Sequence, residues 1–270
     1  MLTALLAILV SARGAGQEAC PPEVAGFRYE PGRLPVGRVY RYAKSNLDGS
    51  NPTEIALHLA GEAQIEVLKW SRGEPEATLV VAEMDWDTCS VSTFHTYHVD
   101  AHGGRTLQAA LVTSPDRKRV DVQVGAQRLT CPLERFPWHS YDFDFSSLNV
   151  ALRFLTDPTG ETEFEIVDFV HAASGPEFVD KGGVVLAYES VEERAGVDCR
   201  RYVIDGPGLE DRGGSLWVAQ GDDVFLVAFE IDLPDEPGMS SGKLQWQRNE
   251  TMSATEWEAF VRAQGATEPR

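Results

Sequence analysis

Short segments of alternating apolar and polar residues follow one another along most of this chain, and they constrain the fold more than any other feature. In residues 54–59, Ile55, Leu57 and Leu59 alternate with other residues, and residues 120–124 alternate strictly between apolar and polar. A period of two is typical of a β-strand with one buried face. The chain is therefore predicted to be mainly β.

Gly, Pro, Asn and Asp separate these segments, as expected of hairpin turns. Short strands at close spacing favour antiparallel meanders, and a sheet this long must twist and curl. We expect an open half-barrel, a large curled antiparallel sheet with one short helix packed on it and a C-terminal helix. Strands are predicted over residues 39–42, 54–59, 64–70, 77–84, 90–100, 106–112, 119–124, 127–131, 162–169, 184–190, 197–204, 214–218, 224–231 and 243–248.

Two segments change to a helical period. Leu148, Leu152 and Leu155 recur on one side of residues 146–155, with Ser146 as the predicted N-cap. This short amphipathic helix is expected to cover the concave face of the sheet.

The second helix is predicted to begin after Ser253. Ser253 and Glu256 form a capping-box pattern, and Gly265 ends the segment. Trp257 would lie on its apolar side.

The first ten residues are apolar but too few to span a bilayer, and small residues follow them. This is the outline of a cleaved secretory signal, and the alternative is a buried N-terminal helix. We predict a signal peptide over residues 1–16, an irregular N-terminal arm over residues 17–36 and a single β-rich domain over residues 37–265. The expected location is periplasmic or extracellular.

The chain is strongly acidic, with 42 Asp and Glu against 24 Lys and Arg and a formal net charge of −18. Such a surface repels nucleic acid and anionic membranes. The acidic residues are scattered, which is typical of a solubilising surface. We therefore predict no nucleic-acid partner, and the short apolar run predicts that the chain is not an integral membrane protein.

Four cysteines, an even number, suit two disulfides in an exported chain. Cys89 directly precedes one predicted strand and Cys131 ends another, and we expect them to pair. Cys20 and Cys199 would then form the second bridge. The alternative is reduced, buried thiols, because a body of this size does not need disulfides to fold.

The best metal-like pattern is His98, Asp100 and His102. On a continuous strand these side chains would share one face, and imidazole with carboxylate suits zinc. The other interpretation is an ordinary exposed polar face, and on balance no metal site is predicted.

No nucleophile elbow, phosphate loop or dinucleotide fingerprint occurs in the chain, and we predict no cofactor and no catalytic residue. Asp85 with Asp87 and Asp142 with Asp144 are acidic pairs that a hydrolase could use. Two-residue spacing on a strand more often marks a solvated face. An acid-catalysed hydrolase is therefore only a second alternative.

One resemblance lies in the C-terminal part, mainly residues 184–231. The segments 197–206, 214–218 and 224–230 carry a basic and aromatic strand, a Leu-Trp-Val strand and a Val- and Leu-rich partner. They resemble the closing hairpins of exported bacterial proteins of unknown function that share the half-barrel of the periplasmic lipoprotein carriers. The resemblance implies a concave sheet that lipid can reach.

We therefore expect an exported, non-catalytic protein that binds a lipid or another apolar ligand between the curled sheet and its helix. The alternative is a structural or interaction subunit of the cell envelope that meets a protein partner through a sheet edge or the acidic face. The residues predicted to line the ligand site are Trp138, Phe143, Leu148, Leu152, Leu155, Trp217, Phe229 and Trp246.

Overall fold

A single open sheet of 15 strands dominates the computed structural model, which describes residues 24, 26–74, 76–172, 175–234 and 239–265. The strand order is β8-β7-β6-β5-β4-β3-β2-β1-β15-β14-β13-β12-β11-β10-β9. All neighbouring pairs are antiparallel except β9 with β10. The first and last long strands pair in the middle of the sheet, so the chain meanders outward and then returns from the other edge. The predicted fold class is confirmed.

The strands in the first half are β1 (Arg38–Ser45), β2 (Thr53–Leu59), β3 (Gln64–Trp70), β4 (Ala77–Asp85), β5 (Ser90–Val99), β6 (Arg105–Thr113), β7 (Arg119–Val124), β8 (Gln127–Pro132) and β9 (Trp138–His139). The elements that follow are α1 (Ser146–Ala151), β10 (Glu161–Ala172), β11 (Gly175–Arg194), β12 (Val197–Asp205), β13 (Gly214–Ala219), β14 (Leu226–Ile231), β15 (Gly242–Thr251) and α2 (Ala254–Gly265). Short 3₁₀ turns cover Leu152–Phe154 and Pro207–Leu209.

The helix α1 fills the concave side of the sheet and is buried on every side. It is therefore not amphipathic, because the sheet curls far enough to cover its polar residues as well. Those residues find partners inside: Asn149 donates to the Tyr42 hydroxyl at 2.9 Å and accepts from the Leu226 backbone N–H at 2.8 Å. Ser146 is not the N-cap as predicted; Phe145 occupies that position, with a left-handed backbone (φ 51°).

The hairpin of β10 and β11 is much longer than predicted. The predicted strand over residues 184–190 covers only the middle of β11. The pairing register shifts between Ile166 and Val167, opposite Gly182, whose φ of 106° favours glycine. The part of the hairpin beyond this bulge reaches β8 at the other end of the sheet, where the Gln127 side chain donates to the Pro176 carbonyl at 3.4 Å.

The helix α2 packs on the opposite, outer face of β3, β4 and β5. Trp257 and Val261 are buried there against residues such as Leu68. The predicted capping box is confirmed: the Ser253 backbone N–H donates to the Glu256 carboxylate at 2.8 Å, and the Glu256 N–H donates to the Ser253 hydroxyl at 3.3 Å. Strands β3 and β4 therefore have buried residues on both faces.

The predicted signal peptide lies outside the described residues, and its role stays a prediction. The described part of the N-terminal arm packs against Leu155 and against Trp86, which follows β4. Phe27 is fully buried, and Tyr29 stacks on Trp86 with ring centroids 4.6 Å apart. No helix within the described ranges has the length and apolar character needed to cross a membrane.

The predicted Cys89–Cys131 disulfide is wrong. Cys89, Cys131 and Cys199 are buried free thiols, and Cys20 lies outside the described residues. The Cys89 thiol donates to the Trp86 carbonyl at 3.6 Å, while the Cys131 thiol contacts the Pro132 carbonyl at 3.3 Å. Burial raises the pKa of Cys89 to about 12 and that of Cys131 to about 11, so these thiols are poor nucleophiles at neutral pH.

Candidate functional site

The best-formed apolar cavity lies where the two ends of the sheet approach each other, and we call it the seam cavity. Its volume is about 420 Å³. Strands β3 to β7 form one wall, and the segment from β9 to residue 143 forms the other together with the far part of the β10–β11 hairpin. The lining residues are Lys69, Thr78, Val80, Val91, Phe94, Thr96, Gln108, Ala109, Leu111, Val124, Trp138, Ser140, Asp142, Phe143, Phe169, Pro176 and Phe178.

Cross-strand register builds the sheet wall of the seam cavity. Val80 lies opposite Thr96, Thr96 opposite Ala109, and Ala109 opposite Val124. These positions share one face of the sheet because alternate residues point the same way. The small side chain of Ala109 in this row leaves space that a larger residue would fill.

The apolar residues of the sheet wall include Val80, Val91 and Leu111, which are buried. Two polar residues also line the cavity: Thr78 is half-buried, and Gln108 is exposed. The cavity therefore grades from an apolar interior to a polar mouth.

Aromatic rings form most of the opposite wall. Phe143 meets Phe94 edge to face at 4.8 Å between ring centroids, and Phe169 meets Phe178 in the same way at 4.9 Å. The backbone of Trp138 is anchored, since its N–H donates to the buried Ser90 hydroxyl at 2.8 Å. The rings are thus held in place before any ligand arrives.

A buried charge cluster supports the mouth. The Asp144 carboxylate lies 2.5 Å from the ammonium of Lys44 and 2.5 Å from that of Lys69, and Lys69 also donates to the Asp142 carbonyl at 3.0 Å. Burial alone would raise the pKa of Asp144, but the two ammonium groups hold it below its usual value. Asp144 is therefore an ionised structural group, and Lys69 is the member of the cluster that lines the cavity.

A second buried carboxylate, Asp168 on β10, holds the loop that carries Ser140 and Asp142. It accepts the Tyr141 backbone N–H at 2.7 Å, the Asp142 N–H at 3.1 Å and the Ser140 hydroxyl. Burial and the neighbouring Asp142 carboxylate raise the pKa of Asp168 to about 7, against the opposing effect of these hydrogen bonds. The shape of one cavity wall thus depends on a group that titrates near neutrality.

Two of the predicted lining residues, Trp138 and Phe143, line the seam cavity. Leu152 and Leu155 line a separate, smaller pocket. Leu148 and Phe229 are fully buried core residues.

The two remaining predicted lining residues also lie away from the cavity. Trp217 donates to the Glu192 carboxylate, and the Arg194 guanidinium lies over its ring at 4.3 Å. Trp246 packs on Phe225. The expected cleft between helix and sheet is filled, because the sheet packs around α1. The cavity lies instead between the two ends of the sheet.

The predicted metal-like pattern does not form a site. Strand β5 ends at Val99, so His98, Asp100 and His102 do not follow one strand. The Asp100 carboxylate instead accepts the backbone N–H groups of His102 at 2.8 Å and Gly104 at 2.9 Å, which fixes a tight turn. No group of three metal-ligating side chains is arranged around one point in the part of the chain that the structure describes.

Three acids of the two pairs from the sequence, Asp85, Asp87 and Asp144, form ion pairs. Asp85 and Asp87 each contact the Arg117 guanidinium at 2.8 Å, and Asp144 belongs to the lysine cluster. Asp168 and Asp142 come closest to a catalytic couple, but Asp168 is buried and does not line the cavity. These contacts leave the hydrolase interpretation without support from geometry.

Sequence reasoning missed Lys69, Asp168, Phe169 and Phe178. Lys69 left a detectable signal, because a lysine continues the buried face of β3 after Ile65 and Val67, where an apolar residue is expected. The phenylalanines gave none, since their position over the cavity depends on the length and bend of the β10–β11 hairpin.

No family model matches the chain. No curated protein matches it either. Among solved structures, the chain is similar to the crystal structure of a beta-barrel-like protein of domain of unknown function DUF1849 from Brucella abortus, with 7% sequence identity and a TM-score of 0.44. The match covers 81% of this chain and 99% of the other. A similarity this weak says nothing about what the chain does.

Proposed function

We propose that this chain is an exported, non-catalytic protein that holds the apolar part of a lipid or similar small molecule in the seam cavity. The observation that carries the proposal is a cavity of about 420 Å³ lined mostly by aliphatic and aromatic side chains and open at one polar end. Small-molecule sites in proteins commonly measure about 300–1,000 Å³, with a few placed polar groups. The mainly apolar lining suits the apolar part of a lipid.

The driving force would be the removal of apolar surface from water. Each buried methylene contributes about 0.8 kcal/mol, so six methylenes contribute about 5 kcal/mol before the cost of ordering the ligand. The rings of Phe94 and Phe143 already pack against each other, which keeps that cost low on the protein side. A ligand with one extended acyl chain suits a cavity of this volume better than a ligand with two acyl chains.

The mouth would orient the polar end of the ligand. Thr78 and Gln108 place a hydroxyl and an amide group there. These groups donate and accept hydrogen bonds, so they suit a head group of the same kind, such as an ester, an amide or an alcohol. The Lys69 ammonium is already engaged by Asp144.

The test is a fluorescence titration of the protein with an uncharged, environment-sensitive acyl probe, the methyl ester of dansyl-labelled undecanoic acid. We expect saturable enhancement with one probe per chain. Ala109→Trp fills the cavity from the middle of its sheet wall and should weaken binding at least tenfold. The matched control is Val203→Trp, which adds the same ring at a residue 36% exposed that does not line the cavity.

Circular dichroism and thermal melting establish that both variants fold before the titration is interpreted. Equal affinity of Ala109→Trp and the unmodified chain would overturn the assignment of the cavity. Absence of saturable binding to the unmodified chain would overturn the proposed function itself.

A further inference from the structure

A second pocket lies beneath the 3₁₀ turn that follows α1, and its lining is unlike that of the seam cavity. Its volume is about 140 Å³, room for about four or five water molecules at about 30 Å³ each. Three arginines line it: Arg33 from the N-terminal arm, Arg153 from the 3₁₀ turn and Arg200 from β12. Within the described residues, no Asp or Glu belongs to the lining. This is a concentration of positive charge in a chain whose formal net charge is −18.

Arg153 is the unusual member of the pocket. Its side chain is 95% buried, with a relative exposure of 5%, yet it forms no ion pair with a described residue. Of its five N–H donors, one nitrogen, Nη2, donates to the Tyr40 hydroxyl at 3.3 Å, and the buried Nε has no acceptor among the described residues. A guanidinium keeps its charge when buried, so this position favours an added anion.

Asp223, the acidic group linked to Arg153 through Tyr40, already has other partners. The Tyr40 hydroxyl donates a hydrogen bond to the Asp223 carboxylate at 2.6 Å. Asp223 also accepts from Asn249 at 3.3 Å and lies 3.7 Å from Arg38. Asp223 therefore reaches Arg153 only through Tyr40.

The other two arginines differ in their engagement. Arg33 contacts Glu30 at 3.2 Å and remains half-exposed. The Arg200 side chain has no hydrogen bond or ion pair within the described part of the chain. It lies beside Tyr202, whose hydroxyl donates to the Pro158 carbonyl at 2.7 Å. Arg200 can thus turn toward an anion at little cost.

We infer that this arginine pocket binds a phosphate- or sulfate-type oxyanion, with Arg153 at its base and Arg200 and Arg33 at its entrance. Guanidinium groups match the oxygens of such anions with paired hydrogen bonds. The site is independent of the proposed function, because the two cavities share no lining residue. The oxyanion can be a free ion or the head group of a phospholipid, and the net negative charge of the chain favours the free ion.

The experiment is an isothermal titration with inorganic phosphate at fixed ionic strength, with sodium chloride as the reference salt. We expect one saturable site, and both Arg153→Gln and Arg200→Gln should weaken it at least tenfold. The matched control is Arg128→Gln, which removes the same charge from the exposed strand β8 and should leave the affinity unchanged. If Arg153→Gln fails to fold, the half-exposed Arg200→Gln decides the result.

A vesicle flotation assay separates the two sources of oxyanion. It uses phosphatidylcholine vesicles with and without phosphatidic acid. Capture that requires phosphatidic acid and is lost in Arg200→Gln assigns the site to a head group, whereas phosphate binding without capture assigns it to a free ion. Binding of neither, or equal losses in Arg200→Gln and Arg128→Gln, overturns the inference.

Discussion

Among single residues, the buried charged groups have the largest expected effect on the structure around the seam cavity. Lys44 and Asp144 have side chains 0% and 1% exposed and lie 2.5 Å apart, with Lys69 on the other carboxylate oxygen. A buried charge is tolerated only when a partner and hydrogen bonds replace its hydration. Asp144 is therefore expected to hold the cluster together and to keep Lys69 at the mouth of the cavity.

Asp144→Asn tests that role. Asparagine accepts the left-handed backbone of this position (φ 53°), so the change removes the charge without adding backbone strain. We expect the free energy of unfolding, from urea denaturation, to fall by about 3–5 kcal/mol, because two buried ammonium groups lose their shared carboxylate. The control Asp121→Asn breaks an exposed pair with Arg119 and should cost less than about 1 kcal/mol. Equal effects of the two changes would contradict the account.

Asp168 makes stability depend on pH. Its pKa is about 7 in the folded protein and near the ordinary 3.8 in the unfolded chain, so between these values the folded state binds more protons. Its stabilising contribution is complete below about pH 4 and is lost as the pH rises through 7. Asp168→Asn cannot titrate at this position.

The comparison of Asp168→Asn with the unmodified chain therefore isolates this group. From pH 4 to pH 8, we expect the unmodified chain to lose a few kcal/mol of unfolding free energy relative to the variant, since one unit of pKa corresponds to about 1.4 kcal/mol. Denaturation curves across this range measure the difference. A difference that stays constant with pH would show that Asp168 does not titrate there.

Secondary-structure elements differ in what fixes them. The helix α2 has strong local signals, and its capping box and buried Trp257 agree with each other. The helix α1 is only six residues long, and its polar side chains are satisfied by distant partners such as Tyr42 and Leu226. Its stability therefore comes from the sheet around it rather than from its own sequence.

Removal of the Trp257 side chain tests the docking of α2. Trp257 packs on His58 in a tilted arrangement, with ring centroids 4.8 Å apart, and donates to the Glu66 carboxylate. Trp257→Ala should lower the free energy of unfolding by about 3–5 kcal/mol, because it empties a packed site and removes a partner from Glu66. Thr255→Ala, an exposed change on the same helix, is the control and should be near neutral. Similar values for the two would mean that α2 is not docked as described.

The sequence was sufficient for the elements whose signals are local. Alternation gave β3 and β7 with their observed bounds, Gln64–Trp70 and Arg119–Val124. The sequence was not sufficient to predict the seam cavity. The pairing of neighbouring strands does not show whether, or where, the two ends of a curled sheet approach each other. The bend at Gly182 and the two-residue strand β9 set that meeting, and neither has a clear signal in the chain.

At the scale of the whole molecule, the sheet leaves its two ends unpaired and places a cavity between them. Trp138 and Phe178 reach this cavity from one end of the sheet, and Leu111 and Val124 from the other. An opening between two sheet ends would let the acyl chain of a ligand enter between them while both walls stay folded. It also means that ligand binding and the closeness of the two ends are expected to be linked.

Methyl NMR of the protein titrated with methyl undecanoate tests most directly whether the seam cavity holds an apolar ligand. Methyl resonances of Val80, Leu111 and Val124 should shift together and show contacts to the ligand, because their side chains line the seam cavity. Those of Val191 and Val203, which are exposed and lie outside the cavity, should not move. Shifts confined to Val191 and Val203, or no shift at saturating ligand, would contradict the account.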